Sequence, residues 1–404
     1  MSAGLKALLV GVLVLVTSSC QKTPPAPAMA ELAAGLAYTN VRVANVPWSI
    51  HIARISRSHP EFALESVHAK GHVLGLATLS EMVEQIPPTE GKPVAGVNGD
   101  FYVRDRAYAG DPRGLQIVNG ELLSAPIGGV SLWIDGEGAP HTTNVASQFR
   151  VTWPSGKSAS LGLNEERRPS SIVLYTPSLA KTTKTTGKGF EVILTAKDPK
   201  HWLPVKVGEK FEGVVREVRD GGNSPIEPET LVLSVGAAQA VVATKPEPGA
   251  VVTISTETAP DLHGASTAIS GGPILVHEGK LQDIPKPKEA NGGIPYEYRS
   301  MFERHPRTAV GWNKDYYFFV EVDGRQPGLS VGMTLEELGK YFIELGCTET
   351  MNLDGGGSAM LWANGQIRNS PCDRQERAVA NALLVVRKEK KAARAEESAT
   401  ASVK

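Results

Sequence analysis

One stretch near the C-terminus combines a carboxylate, consecutive glycines and a hydroxyl group: Asn352-Leu353-Asp354-Gly355-Gly356-Gly357-Ser358. One glycine is usually enough for a turn, and each further glycine costs conformational entropy on folding. The run therefore indicates that the backbone passes close to another group, with bare N–H groups facing it and Asp354 beside it. A flexible hairpin turn is the alternative interpretation of the same residues.

The pattern Asn-x-Asp occurs at the end of two apolar runs, as Asn98-Gly99-Asp100 and as Asn352-Leu353-Asp354. Because strand residues two apart share a face, each pattern is expected to place an amide beside a carboxylate. Such a pair can hold a sugar hydroxyl while the acid acts on the bond, or it can bind a metal ion. Asn and Asp also end strands and turns without any such role.

Charged residues near two further apolar runs extend this chemistry. Arg307 enters an apolar run, where an unpaired guanidinium is costly, so it should have an anionic partner. That partner is either a protein carboxylate or a substrate phosphate. Asp323 ends the next run and adds a third acid, whereas His305 fits a surface turn residue better than an acid or base. The turn Ser270-Gly271-Gly272-Pro273 could offer N–H groups to an anion.

Several known motifs and partner classes are excluded. The glycine run lacks the lysine of a P-loop, Met360 interrupts a Gly-x-Ser-x-Gly pattern, and there is no EF-hand loop or His-Glu-x-x-His. A formal net charge of -1 gives no support for nucleic-acid binding. The cysteine spacing does not suggest zinc; Cys347 and Cys372 could form a disulfide in an oxidising compartment or remain free thiols.

The elements that must position these residues are mostly short strands. Capping boxes at Thr78-Leu79-Ser80-Glu81 and Thr334-Leu335-Glu336-Glu337 predict two amphipathic helices, the second ending at Gly346. The range 131–260 is rich in Val, Ile and Leu runs separated by Gly and Pro, which is typical of a β-rich insertion. We therefore predict an α+β fold, with a strand-rich mixed sheet core and a few packed helices.

The N-terminus predicts export. Lys6 precedes a short apolar run and a small-residue zone that ends at Cys20, so residues 1–20 resemble a signal peptide, with Cys20 as a candidate lipidation site. Residues 21–37 are Pro/Ala-rich and are predicted to be a tether, 38–387 the main domain, and 388–404 a disordered tail. The expected location is the periplasm or, as a lipoprotein, the outer membrane or cell surface, without a transmembrane helix in the mature protein.

Taken as an ordered set, these motifs resemble the phosphodiester glycosidase family. The resemblance extends from about 90 to 387 and rests on these segments: Val97-Asn98-Gly99-Asp100-Phe101-Tyr102, Ser270-Gly271-Gly272-Pro273, Arg307-Thr308-Ala309-Val310-Gly311, Asp323-Gly324-Arg325, the helix beginning at Thr334, and Asn352 to Ser358. It implies hydrolysis of a GlcNAc-like sugar-1-phosphodiester at the anomeric C–O bond. The products would be a free sugar and a phosphomonoester, and the substrates would be envelope or exopolysaccharide glycans.

That chemistry assigns provisional roles to the candidate residues. Asp354, Asp100 and Arg307 would be catalytic, with Arg307 clamping the phosphate. The expected substrate-binding residues are Asn98, Asn352, Asp323, Gly271, Gly272, Gly355, Gly356, Gly357 and Ser358.

Two other functions and one cofactor question stay open from the sequence. A glycan-binding or assembly protein of the cell envelope could keep the fold without turnover. A metal-dependent phosphodiesterase could cut P–O, with Asp100, Asp323 and Asp354 around Mg²⁺ or Ca²⁺. The sequence itself requires no cofactor.

Overall fold

Four β-sheets and three α-helices make up the part of the chain that the computed structural model describes, residues 27–104, 107–239, 245–286 and 296–388. The predicted signal peptide with Cys20, the start of the tether, and the tail from residue 389 lie outside these ranges.

The first sheet has eight strands, all paired antiparallel, and carries Arg307 and Asn352. In spatial order its strands are β1 (Ala30–Ala33), β2 (Leu36–Val43), β3 (Trp48–Ser56), β23 (Tyr316–Val322), β22 (Arg307–Trp312), β24 (Glu349–Asn352), β20 (Ile274–His277) and β21 (Lys280–Leu281).

A five-stranded antiparallel sheet carries Asn98 and packs against the first sheet. Its order is β26 (Gln366–Ile367), β25 (Leu361–Ala363), β5 (Lys92–Asn98), β27 (Asn381–Arg387) and β4 (Phe62–His68). Buried side chains such as Phe319 and Val310 of the first sheet join Val97 and Leu383 of this one in a single core. The Asn-x-Asp patterns therefore belong to two facing sheets.

Two more sheets complete the fold. A six-stranded sheet has the order β18 (Thr258–Ala259), β9 (Pro140–Ser147), β8 (Ile127–Ile134), β19 (Thr267–Ser270), β6 (Gln116–Val118) and β7 (Glu121–Ser124). A second eight-stranded sheet has the order β11 (Ser158–Ser160), β10 (Arg150–Thr152), β17 (Val251–Ser255), β15 (Lys210–Asp220), β14 (Gly189–Ala196), β16 (Leu231–Gly236), β13 (Ile172–Tyr175) and β12 (Gly162–Leu163).

The three helices are short. They are α1 (Leu79–Glu84), α2 (Tyr296–Phe302) and α3 (Leu335–Glu344). Both predicted capping boxes are confirmed, because the Thr78 and Thr334 hydroxyls accept from the N–H groups of Glu81 and Glu337, whose side chains accept in return. Leu79 and Met82 of α1 cover the outer face of the five-stranded sheet, and α3 covers the outer face of the first sheet.

The fold is therefore mostly β, with 44% of residues in strands and 10% in helices, so the α+β prediction is only partly right. The predicted mixed sheet applies to the second eight-stranded sheet alone, because β12 and β13 form the one parallel pair between strands of the described chain. Within that same chain, no helix is both long and apolar enough to cross a bilayer.

Two predicted boundaries meet a different arrangement. Residues 30–33 and 36–43 are strands of the first sheet, so the C-terminal half of the predicted tether is part of the fold. The strands of the second eight-stranded sheet lie between residues 150 and 255 and pair with one another, inside the predicted insertion at 131–260. A separate domain there stays a prediction. Cys347 and Cys372 are free thiols, so the disulfide alternative is wrong for this structure.

Candidate active site

A cavity of about 460 Å³ opens where β22 begins and β24 ends, and Asp354 is the one carboxylate among its lining residues in the described chain. The lining contains the four arginines Arg104, Arg307, Arg325 and Arg377, and the imidazole of His305. Asn352, Gly272 and the three glycines after Asp354 also contribute to the wall. This excess of arginine over acid suits an anionic ligand.

The two Asn-x-Asp patterns meet at this cavity. The Asp354 N–H donates to the Gly99 carbonyl at 3.0 Å, and Asn98 Nδ2 donates to the Asp354 carbonyl at 2.7 Å. Asn98 Oδ1 accepts from Thr308 Oγ1 at 2.7 Å and from the Met360 N–H at 3.0 Å. Asn98 is fully buried. The predicted sugar contact at Asn98 is therefore wrong, and this amide instead joins the two sheets and positions Asp354.

Asp100 lies behind Asp354 rather than on the cavity wall and is only 4% exposed. Its Oδ1 accepts from the Phe101 N–H at 2.7 Å, while the buried Oδ2 has no hydrogen-bond partner within the described chain. Burial and the nearby charge of Asp354 raise the pKa of Asp100 to about 7. This carboxyl can therefore hold a proton near neutral pH.

Asp354 faces the cavity from a tight backbone turn. Its Oδ1 accepts from the Gly355 N–H at 2.9 Å. Burial raises the pKa of Asp354, and hydrogen bonds from Ser358 and Gly355 together with the charges of Arg377 and Arg104 oppose that rise. Ser358 is itself buried and supports the carboxylate rather than lining the cavity.

Arg307 is a buried cation without an acidic partner. Its Nε donates to the Met333 carbonyl at 2.9 Å, and its Nη2 donates to the carbonyls of Ser300 at 2.6 Å and Glu303 at 2.8 Å. No carboxylate of the described chain forms an ion pair with it. Burial and the charge of Arg325 lower the pKa of Arg307 to about 10. The protein-carboxylate interpretation of Arg307 is therefore not supported.

The glycine run is packed tightly, and it is not a flexible turn. Residues 356–358 form one 3-10 turn, in which Gly356 has φ +62°. A Cβ on Gly355 would lie 2.7 Å from the Pro306 carbonyl oxygen, and one on Gly357 would overlap the Arg377 guanidinium. The glycines thus permit close approach, as predicted, but the groups that approach are protein backbone and arginine side chains.

The predicted N–H donors are mostly occupied. The N–H groups of Gly355 and Gly356 donate to Asp354 Oδ1 and to the Pro306 carbonyl. Those of Gly271 and Gly272 donate to the carbonyls of Val130 and Asn352. These four amides therefore cannot clamp an anion, which corrects the sequence prediction.

Asn352 keeps a free acceptor at the cavity. Its Nδ2 donates to the Gly272 carbonyl at 2.9 Å, and its buried Oδ1 has no hydrogen-bond partner among the described residues. An unpaired buried acceptor is costly, so a ligand hydroxyl is a suitable donor for it.

Asp323 lies away from the cavity. It is 1% exposed, its Oδ2 is 2.9 Å from His51 Nε2, and its Oδ1 accepts from the Ser370 N–H. The predicted substrate contact and the predicted metal set with Asp100 and Asp354 are therefore wrong. Across the described ranges, the close group of metal-ligating side chains is His51, Glu321 and Asp323 instead.

Arg104, Arg325, Arg377 and His305 also line the cavity, although the sequence motifs predicted no role there for these arginines and favoured a surface turn for His305. Arg325 Nη2 lies 3.1 Å from His305 Nδ1. Burial together with the charge of Arg325 lowers the pKa of His305. Arg377 donates to Asp373 at 2.6 Å. Arg325 follows Asp323 in a motif that the sequence already singles out. Arg104 and Arg377 belong to no such motif, because only the fold brings them to this wall.

Comparison with known proteins matches the segment that carries this site to a known family model. The family model described as phosphodiester glycosidase matches residues 210–386, the part that contains Arg307, Asn352 and Asp354. The resemblance to the phosphodiester glycosidases is thereby confirmed. Glycosidase-type hydrolysis is the chemistry of this family.

Individual relatives extend the comparison of sequence and fold. The SPbeta prophage-derived uncharacterized protein YomE of Bacillus subtilis (strain 168) is 36% identical over 83 residues, which are 20% of this chain and 13% of YomE. A crystal structure of a protein from Synechocystis is 18% identical with a TM-score of 0.69, covering 90% of this chain and 64% of that one. The crystal structure of a candidate exported protein from Burkholderia pseudomallei K96243 is 22% identical with a TM-score of 0.65, covering 84% and 74%. These two structures share the fold of this chain.

Proposed function

We propose that this chain is an exported hydrolase that cleaves the anomeric C–O bond of a GlcNAc-like sugar-1-phosphodiester. The products are a free sugar and a phosphomonoester, and the substrates are glycans of the cell envelope or an exopolysaccharide. The observation that carries the proposal is Arg307, a buried cation with no acidic partner among the described residues, in the same cavity wall as Asp354.

The charge of the cavity suits a phosphodiester more than a neutral glycan. Arg307, Arg325 and Arg104 would bind the phosphate, because guanidinium groups match phosphate oxygens in geometry and charge. The leaving group is a phosphomonoester anion, which departs more readily than a sugar alkoxide, so the site needs less help from a general acid. The arginines then stabilise charge that develops on the leaving group.

Asp354 is the group that would act on the sugar. A carboxylate beside the anomeric carbon stabilises an oxocarbenium-like transition state, attacks it, or activates water. Asp100 lies behind Asp354, and its carboxyl would hold a proton near neutral pH. The two carboxyl groups would then share a single negative charge, carried by Asp354. Asn352 Oδ1 would accept a hydrogen bond from a sugar hydroxyl.

An isotope experiment tests the reaction. The protein is incubated with a GlcNAc-1-phosphodiester and with UDP-GlcNAc in H₂¹⁸O, with and without EDTA, and both products are analysed by mass spectrometry. We expect ¹⁸O in the released sugar and comparable rates with EDTA. Label in the phosphate would show P–O cleavage and overturn the proposal. Saturable glycan binding without turnover would favour a binding protein instead.

Export is tested separately. The mature protein is purified from its native host and its N-terminus is analysed by mass spectrometry. A mature chain that begins at Cys20 with added acyl mass would support the lipoprotein, and a chain that retains residues 1–20 would contradict export.

A further inference from the structure

A buried cluster of one imidazole and two carboxylates lies outside the cavity. His51, Glu321 and Asp323 are 4%, 1% and 1% exposed. One ligand atom from each lies within 4.8 Å of the others. Since burying carboxylates without compensation is expensive, a cluster of this kind needs a reason.

The sheet itself holds these residues together. His51 on β3 is the direct cross-strand partner of Glu321 on β23. Asp323 follows two residues later, and its N–H donates to the Ser49 carbonyl at 3.0 Å. Residues directly opposite and two apart share a face of an antiparallel pair. The spacing of the three side chains is therefore set by the backbone of two adjacent strands.

Neighbouring groups orient two side chains of the cluster, His51 and Asp323, through hydrogen bonds to their outer atoms. The Tyr38 hydroxyl lies 2.7 Å from His51 Nδ1, and the Ser370 N–H donates to Asp323 Oδ1. These contacts direct His51 Nε2 and Asp323 Oδ2 towards each other, 2.9 Å apart. Hydrogen bonds of this kind, made to the far atom of each ligand, are typical of protein metal sites.

The third ligand provides an independent sign of a missing partner. Glu321 Oε2 is buried and has no hydrogen-bond partner in the described chain. No lysine or arginine of the described chain forms an ion pair with Glu321 or Asp323, and His51 is the one basic side chain of the described residues paired with either. The cluster thus combines an unsatisfied acceptor with an excess of carboxyl groups over basic side chains.

We propose that His51 Nε2, Asp323 Oδ2 and Glu321 Oε2 bind a small divalent transition-metal ion of the Zn²⁺ class. One imidazole with two carboxylates suits such an ion, whereas Ca²⁺ and Mg²⁺ prefer sites made of oxygen atoms. The ion takes the place of the contact between His51 and Asp323, and His51 Nδ1–H then donates to Tyr38. The Ser49 hydroxyl, 3.1 Å from His51 Nε2, lies beside the site.

Metal binding is tested directly, without a turnover assay. The full chain is stripped with a chelator, and ZnCl₂ is titrated by calorimetry, with bound metal counted by elemental analysis. We expect one Zn²⁺ per chain and a higher melting temperature when it is bound. Binding of CaCl₂ in preference to ZnCl₂, or no stoichiometric zinc, would overturn the assignment.

Three variants locate the site. Glu321→Gln and His51→Gln should each weaken zinc binding by roughly 10–100-fold or more. His277→Gln is the matched control, because His277 pairs with Glu349 at 2.9 Å on the surface. Zinc binding that is equal in Glu321→Gln and wild type would contradict the proposal. If His51→Gln does not fold, the Glu321→Gln isostere decides, with the visible absorption of bound Co²⁺ as a second measurement: loss of the wild-type bands supports the site and their retention contradicts it.

Discussion

The cavity around Asp354 and the cluster around His51 have opposite charge imbalances. The cavity is open and lined by four arginines and one carboxylate, whereas the cluster is closed and holds two carboxylates and one histidine. Each excess is costly unless a ligand of the other sign is present. The comparison teaches that one chain can carry two candidate sites of opposite preference: an open one rich in arginine, which suits an anion, and a closed one rich in carboxylates, which suits a cation.

The two regions also differ in how their residues are assembled. The cluster comes from two paired strands, so its geometry follows from one register. The cavity is made of residues from loops, strand ends and the helices α2 and α3, in segments near 101, 272, 300, 325, 335, 354 and 377. Changes in the cavity should therefore affect turnover first, and changes in the cluster should affect metal binding and stability.

The largest expected effect follows from Asp354→Asn. Loss of the charged oxygen should lower kcat by roughly 1,000-fold, because the carboxylate acts on the reacting carbon. Zinc binding at the cluster should be unchanged. Steady-state kinetics and calorimetry check both statements, with Asp315→Asn as a surface control. Turnover at the wild-type rate would show that Asp354 is not a catalytic residue.

The next largest effect is expected for Arg307→Ala, which should lower kcat/KM by roughly 100–1,000-fold. The variant removes the phosphate contact and leaves the carbonyls of Met333, Ser300 and Glu303 without their donor. Arg216→Ala, which breaks an exposed pair with Glu227, is the matched control. Circular dichroism must show a folded variant, and an unchanged kcat/KM in that variant would refute the anion clamp.

Asp100 gives a pH dependence. Its pKa is raised to about 7, so the folded protein retains a proton there that the unfolded chain has already lost. This contribution to the free energy of unfolding is present at low pH and is lost as the pH rises from about 4 to about 7, by at most about 1.4 kcal/mol per pH unit. Urea unfolding across that range should show a flatter profile for Asp100→Asn than for wild type. Identical slopes would mean that Asp100 is not buried as the structure shows.

The smallest effect expected is that of Gly355→Ala. The added Cβ would meet the Pro306 carbonyl oxygen, and the resulting overpacking should lower the free energy of unfolding by about 1–3 kcal/mol. Gly136→Ala is the control, because a Cβ there has no neighbour closer than 3.7 Å. Equal stabilities of the two variants in urea would show that the glycine run is not tightly packed.

Much of the site could be predicted from local sequence, because its central residues lie in short motifs. The glycines, Asp354 and Arg307 stand out from their neighbours, and the capping boxes fix two helices from four residues each. Local patterns also suggested that Asn98 and Asp323 face a ligand. The structure shows that each is buried by a contact with a distant segment.

The remainder depends on pairing across the chain. Arg104 and Arg377 are separated by more than half of the sequence, and His51 meets Asp323 across 272 positions. No local spacing encodes such a meeting, since it follows from which strands become neighbours. The strand that carries His51 is buried on both faces from Ser49 to Ala53, so alternation would have placed His51 opposite Ile50 and Ile52 and indicated neither its burial nor its partner.

The hydrogen bond from the Asp354 N–H to the Gly99 carbonyl joins the two facing sheets at the site itself. The site should therefore not open as a loop would, because opening requires the sheets to separate. Amide hydrogen exchange at Asp354 should then be as slow as that of the core strands. On heating, activity should persist until the two facing sheets unfold together, so that inactivation and unfolding form a single transition.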